Sequence, residues 1–247
     1  MNLLLLSTEE IGADSVATLR GRRAAHAHSV LRVEPGQDLR IGLVDGPLGT
    51  GRVIVSEPDR LAIRCAFASE VPDKPQDVLV LAIPRPKALL RCLEDAAALG
   101  FGRIVLIRTW RVDKSFLQSH SLDAKSWREA LLLGLEQSRR THVPRVLVFP
   151  LFRPFVEDEL EAAVTPTNRF VAHLADARPV AAAALAPAQP LTLAIGPEGG
   201  FVPFEVEQLR ARGFAAITAG EHPQRVPVAL CVLRGQLQLL RSMRGPA

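Results

Sequence analysis

Residues Val78–Ile83 form an unbroken apolar run, and a proline-led amphipathic stretch, Pro86–Leu99, follows it closely. A strand that is apolar on both faces must be covered on both faces, which calls for crossover helices, not hairpins. The alternation continues. Ile104–Ile107, Val146–Phe149, Leu191–Ile195 and Ala215–Thr218 read as strands, and Ala124–Arg139, the short acidic Pro154–Val164 and Pro203–Arg212 as helices. The tail Val228–Met243 is apolar at helical spacing. Residues 78–247 are therefore expected to form an α/β domain on a parallel sheet. Ala181–Ala188 is alanine-rich and reads as a loose connection or a helix end.

The N-terminal third follows a different pattern. Asn2–Leu6 is a candidate strand and Ser15–Leu31 reads as mostly helical, with Leu19, Arg22, Arg23, His26 and Val30 at helical spacing. Leu39–Val44, Arg52–Ser56 and Leu61–Phe67 read as strands, with a turn at Asp45–Gly49. Short strands joined by Gly/Pro turns predict a small β-barrel over 1–68. Residues 69–77, with two prolines and four charges, read as a linker into the domain at 78–247.

With 48% hydrophobic residues the chain is not a disordered one, and no apolar run approaches the length of a membrane helix. The opening Leu3–Leu6 runs straight into Ser7-Thr8-Glu9-Glu10 and reads as a first strand, not a signal peptide. Three scattered cysteines form neither a disulfide framework nor a zinc pattern, so no metal is expected and a reducing, cytoplasmic setting is. Residues 77–247 hold 21 Lys/Arg against 16 Asp/Glu, mostly as arginine. Such an excess suits nucleic acid, and it equally suits ordinary surface charge.

The sharpest segment is Ile195-Gly196-Pro197-Glu198-Gly199-Gly200-Phe201, between an apolar strand and a helix. Ligands of open α/β sheets sit beyond the carboxyl ends of strands. Three glycines let backbone approach a ligand, or simply make a tight turn. The segment is neither GxGxxG nor a P-loop, which leaves a nicotinamide or ATP site unsupported.

This loop resembles the signature loop of the SPOUT methyltransferases, and most closely that of the RsmE family of 16S ribosomal RNA (uracil-N3)-methyltransferases. Other pieces fall in the same order. His26–Gly36 is similar to the family's "VLRV–PG" segment. Lys87–Gly100 occupies the place of its first C-terminal helix, and Glu136-Gln137-Ser138-Arg139-Arg140-Thr141-His142-Val143-Pro144 resembles "EQ–R–VP". The resemblance implies a small PUA-like barrel before a parallel α/β domain closed by a trefoil knot. It also implies S-adenosylmethionine as cofactor, 16S ribosomal RNA or the small subunit as partner, and a homodimer. The sequence departs from the family in its last loop, Gly220–Leu230, where Arg225 is kept but Pro227 and Val228 replace an acidic residue and a threonine. It also lacks the lysine and glutamate of the usual "KATELG" stretch, at Asp95–Gly100.

On this reading the cofactor loops are the neighbourhood of His173, then Ile195, Gly196, Gly199 and Gly200, then Ala219, Gly220 and Arg225. Arg225 is also the expected catalytic cation, stabilising the anion that develops on the base when its N3 proton leaves; being always charged, it is no general base. Arg22, Arg23, Arg32 and Arg140 are candidate RNA contacts. Glu198, grouped with these RNA-site residues, pairs with an arginine across the dimer or with Arg225, or else is a carboxylate favoured by a helix N-terminus. His142 and His173 each have an ordinary structural alternative. Three other functions stay open: a knotted RNA-binding protein without methyl transfer, a methyltransferase with a different RNA target, and a generic nucleotide-binding enzyme using the glycine loop for phosphate.

Overall fold

The computed structural model describes residues 2–245 and divides into two compact units. The first holds residues up to Lys74 together with Leu132–Val143. Its elements are β1 (Leu4–Leu6), β2 (Val16–Arg20), α1 (Arg22–Ser29), β3 (Asp38–Leu43), β4 (Leu48–Ser56) and β5 (Arg60–Phe67). The strands form one mixed sheet in the order β1-β3-β4-β5-β2, with β1 parallel to β3 and the other pairs antiparallel. Alternate residues point to one side, where Leu19, Ile41, Val53, Leu61 and Ile63 pack with Ala24 and Ala27 of α1.

Ser15–Leu31 is thus not mostly helical. Its first part is β2, and Gly21, at φ +61°, turns the chain into the eight-residue α1. Left-handed backbone at that position breaks the helical spacing read across it. The expected turn at Asp45–Gly49 is shorter than read, because β4 already begins at Leu48.

The second unit spans Pro75–Leu131 and Pro144–Ala247. In chain order it contains β6 (Val78–Ala82), α2 (Pro86–Ala98), β7 (Arg103–Ile107), α3 (Ala124–Ser138, whose last turns fall with the first unit) and β8 (Arg145–Phe149). Then come α4 (Phe152–Pro154), a π-turn over Phe155–Glu159, α5 (Leu160–Ala163), β9 (Arg169–Ala172), β10 (Arg178–Pro179), β11 (Thr192–Ile195), α6 (Pro203–Ala211), β12 (Ala215–Thr218) and α7 (Val226–Arg244). The seven strands form a wholly parallel sheet in the order β10-β12-β9-β11-β6-β7-β8. Every residue of β6 and β11 is buried, as unbroken apolar strands require. In α2, Leu89, Cys92, Leu93, Ala96 and Ala97 are buried at helical spacing.

The acidic segment read as Pro154–Val164 starts at Phe152 and is interrupted by the π-turn. The alanine-rich patch holds a short 3-10 turn, Val180–Ala182, with Ala183 and Leu185 buried beyond it. The tail helix starts two residues before Val228. Arg225 is its N-cap, and Pro227 lies in the first turn, where a missing N–H costs no hydrogen bond.

Candidate functional site: a cleft at three strand ends

β12, β9 and β11 are neighbours in the sheet, and all three end at one cleft of about 390 Å³. The segments after them, Ala172–Ala175, Ile195–Phe201 and Ile217–Gln224, form its walls, and Val226, Ala229 and Leu233 of α7 close one side. Three loops far apart in sequence meet because parallel strands deliver all their carboxyl ends to one edge.

The glycine loop is shaped by its own backbone. A Cβ on Gly196 would stand 2.8 Å from the Phe201 backbone nitrogen, and Gly200 sits at φ +72°. Glu198 accepts a hydrogen bond from the Arg85 N–H at 3.0 Å, and Arg111 donates to the Gly199 carbonyl. Glu205, 2% exposed, takes the Val202 N–H at 2.9 Å and the Trp110 N–H at 2.7 Å, which ties the start of α6 to the loop after β7. In the last loop the Thr218 hydroxyl donates to the Gly220 carbonyl and accepts from its N–H at 3.2 Å. A Cβ on Gly220 would meet nothing within 4 Å.

Of the expected cofactor residues, His173, Ile195, Gly196, Gly199, Gly200, Ala219 and Gly220 all line this cleft. His173 is half-buried. Burial, helped by the nearby Arg210, pulls its pKa below the ordinary histidine value, so the ring is neutral at neutral pH. Arg225 is exposed at the helix cap and does not line the cleft, although its neighbours Gln224 and Val226 do. Arg111, Leu174 and His222 also line it, and nothing in their sequence spacing singles them out.

The wall chemistry suits an adenosyl group. Leu174, Ile217 and Leu233 offer apolar surface to a ring, the loops offer backbone donors and acceptors, and the volume falls in the range of small-molecule sites. No Lys-Ser/Thr pair stands at the glycine loop to take a phosphate.

The expected RNA contacts are dispersed. Arg23 is engaged inside the first unit, paired with Glu10 at 2.7 Å and Glu136 at 3.8 Å. Arg22 is exposed, Arg32 exposed at φ +51°, and Arg140 exposed just after α3. His142 is a structural residue of the same unit, against Asp45 at 3.6 Å and the Pro72 carbonyl at 2.6 Å. The register of the first sheet reveals a different cationic surface. Arg20 lies opposite Arg60, and Arg64 opposite Arg52, with Arg40 on the same face. Only Arg52 has a carboxylate there, Asp38 at 3.0 Å; Arg20, Arg40, Arg60 and Arg64 make no ion pair among the described residues.

A second surface adjoins the cleft. An apolar cavity of about 460 Å³ shares Leu174 and Thr218–Gly220 with it and runs along α7 to Leu239 and Met243. Of the apolar residues of α7, Leu230, Leu233, Leu237 and Leu240 are buried within the chain and Val232 is half-buried. The exposed apolar side chains of the helix are Val228, Leu239 and Met243.

Residues 72–238 match the RNA methyltransferase domain family. A ribosomal RNA small subunit methyltransferase E from Treponema pallidum is 27% identical over 94% of this chain and 88% of its own. One from Mycobacterium tuberculosis is 28% identical over 92% and 88%. The crystal structure of a ribosomal RNA small subunit methyltransferase E from Neisseria gonorrhoeae, bound to S-adenosyl methionine, superposes with a TM-score of 0.76 at 22% identity. It covers 97% of this chain and 98% of that one. The α/β fold expected from the sequence is borne out by this likeness, and the resemblance to the RsmE family by the relatives.

Proposed function

The chain belongs to the RNA methyltransferase domain family, and from that premise we propose that it methylates small-subunit ribosomal RNA, at N3 of a uridine, with S-adenosylmethionine as donor. The observation that carries this reading is the convergence of three strand-end loops on one backbone-lined cleft. S-adenosylmethionine bound there would supply an activated methyl group to the base nitrogen, whose N3 proton would leave to solvent.

The chain's own residues hold the donor and the base. Leu174, Ile217 and Leu233 take the adenine ring, while the loops after β11 and β12 hold the polar groups through their backbone. His173, neutral, adds no positive charge beside a cationic sulfur. Arg225, at the mouth of the last loop, swings toward the base and stabilises the anion left by N3 deprotonation, and Pro227 and Val228 leave the helix start that presents it intact. RNA phosphates lie along the arginine face of the first sheet, and Arg22, Arg32 and Arg140 add exposed cations on the same unit. The reading includes the trefoil knot and the PUA-like barrel that the resemblance implies, and a cytoplasmic homodimer in which a second copy covers Leu239 and Met243.

Calorimetric titration with S-adenosylmethionine, ATP and NAD tests the donor. The reading requires binding of the first alone, and tighter binding of ATP or NAD overturns it.

A further inference from the structure

The carboxyl ends of β7 and β8 open onto a separate groove of about 620 Å³. It stands beside the cleft. Trp110 lines the groove and the next residue, Arg111, lines the cleft; Val202 lines the groove and the residue before it, Phe201, the cleft. Glu205, which takes the N–H groups of both Trp110 and Val202, fixes these two shared walls. Only β6 separates β11 from β7 in the sheet, so the strand ends feeding the two cavities are roughly 10 Å apart.

The groove's chemistry is specific. Trp110 is 84% exposed and Phe204 about half exposed, two large aromatic side chains that present surface to the groove. Arg108, Lys114 and Arg153 surround them. Arg108 is steadied by donating to the Pro150 carbonyl at 2.9 Å, and Arg153 meets Glu157 at 2.7 Å. The one carboxylate lining the groove, Glu205, has each oxygen occupied by a backbone N–H, so the field there is cationic. Thr109, 2% exposed at the groove, keeps a hydroxyl that hydrogen-bonds nothing among the described residues. Aromatic faces, an unspent hydroxyl and three cations together describe a base with its flanking phosphates.

We propose that this groove receives the unpaired nucleotide of the RNA whose base accepts the methyl group. Trp110 and Phe204 lie against the base, Thr109 meets its edge, and Arg108, Lys114 and Arg153 hold the phosphates on either side. This rests on the methyltransferase reading above. An unpaired base is required, because N3 lies on the edge used for base pairing and a duplex would hide it.

The test reads the groove separately from the cleft. Trp127→Phe leaves Trp110 as the single tryptophan, and its fluorescence should be quenched by a uridine-containing single-stranded oligonucleotide. Trp110→Ala should raise KM and Kd for that RNA roughly five- to 150-fold, the range of base–aromatic stacking. S-adenosylmethionine affinity should not change, and Trp110→Phe should recover most of the loss. Thr109→Val should weaken RNA binding without lowering the melting temperature; a hydroxyl that served only the fold would leave RNA binding untouched when removed. A wild-type chain that neither binds nor uses S-adenosylmethionine removes the methyltransferase reading. By contrast, normal donor binding with no quench and an unchanged KM in Trp110→Ala removes the groove assignment alone. A shift to monomer in Trp110→Ala would also overturn it, by giving the groove to a second copy of the chain.

Discussion

The Asp77 carboxylate is gripped by Arg241, whose two terminal nitrogens reach its two oxygens at 2.9 and 3.0 Å. Arg234 adds a second ion pair at 2.8 Å, and the Leu191 N–H a further bond at 2.8 Å. Asp77 sits at the start of β6, so one buried carboxylate ties α7 to the two adjacent strands β6 and β11. Both strands run to the edge where the site lies. Removing it would take the carboxylate from two arginines, one of them almost fully buried. Asp77→Ala is expected to cost about 3–5 kcal/mol in chemical denaturation.

The same carboxylate sets an acid limit. Burial alone would raise its pKa, but the Arg241 hydrogen bond, the Arg234 charge and the Leu191 N–H together hold it below the ordinary 3.8. A depressed folded value means that the stabilisation is fully present above pH 3.8 and is lost as pH falls through the folded pKa. Melting temperature against pH should therefore show an acid-side decline that Asp77→Asn lacks.

Two glycines of the cleft should fail differently. A Cβ on Gly196 strikes the loop's own backbone at Phe201, so Gly196→Ala should lower both the melting temperature and S-adenosylmethionine affinity. Gly220 has open space, so Gly220→Val should fold with an unchanged melting temperature and still lose at least about tenfold in donor affinity by filling a cleft wall. Calorimetry and thermal melts on the pair check both; normal donor binding in Gly220→Val contradicts the placement.

The arginine face should show itself through salt. Like charges directly opposite each other weaken a sheet, so Arg60→Ala and Arg64→Ala should leave stability unchanged or slightly improved. For every phosphate that a variant no longer neutralises, the slope of log Kd against log salt should flatten by about 0.7 for single-stranded RNA, with little dependence on sequence. An unchanged slope in the double variant would take this face out of the interface.

Exposed Leu239 and Met243 lie on the cavity that adjoins the cleft proposed to hold the donor. Leu239→Glu should therefore convert a dimer to a monomer and weaken donor binding in the same step. Light scattering that finds the unaltered protein monomeric at micromolar concentration contradicts this.

The parallel sheet is readable in the sequence because β6 is apolar throughout, and β7 and β11 are apolar after their first residues, Arg103 and Thr192. β9 is harder to read, since it has only three apolar residues after Arg169. That arginine is buried only because Glu161 and the Thr165 and Arg212 carbonyls receive its guanidinium, partners that exist only after folding. The three loops of the cleft are legible through the glycine segment and its resemblance. The arginine face is half legible: Arg60 and Arg64 share one side of a strand by simple alternation, but their cross-strand partners depend on register, which no local spacing fixes. Trp110 gives no signal, because a lone aromatic in a loop has no period.

The most direct test of the whole account is mass spectrometry of nucleosides digested from small-subunit RNA after incubation with the protein and isotopically labelled S-adenosylmethionine. The account predicts one labelled methyl per RNA, on N3 of a uridine, with transfer slowed about 100-fold or more in Arg225→Ala at saturating RNA while donor affinity holds. Label on a ribose hydroxyl or on another base would contradict the assigned chemistry, and no label at all, with RNA bound, would leave an RNA-binding protein in place of an enzyme.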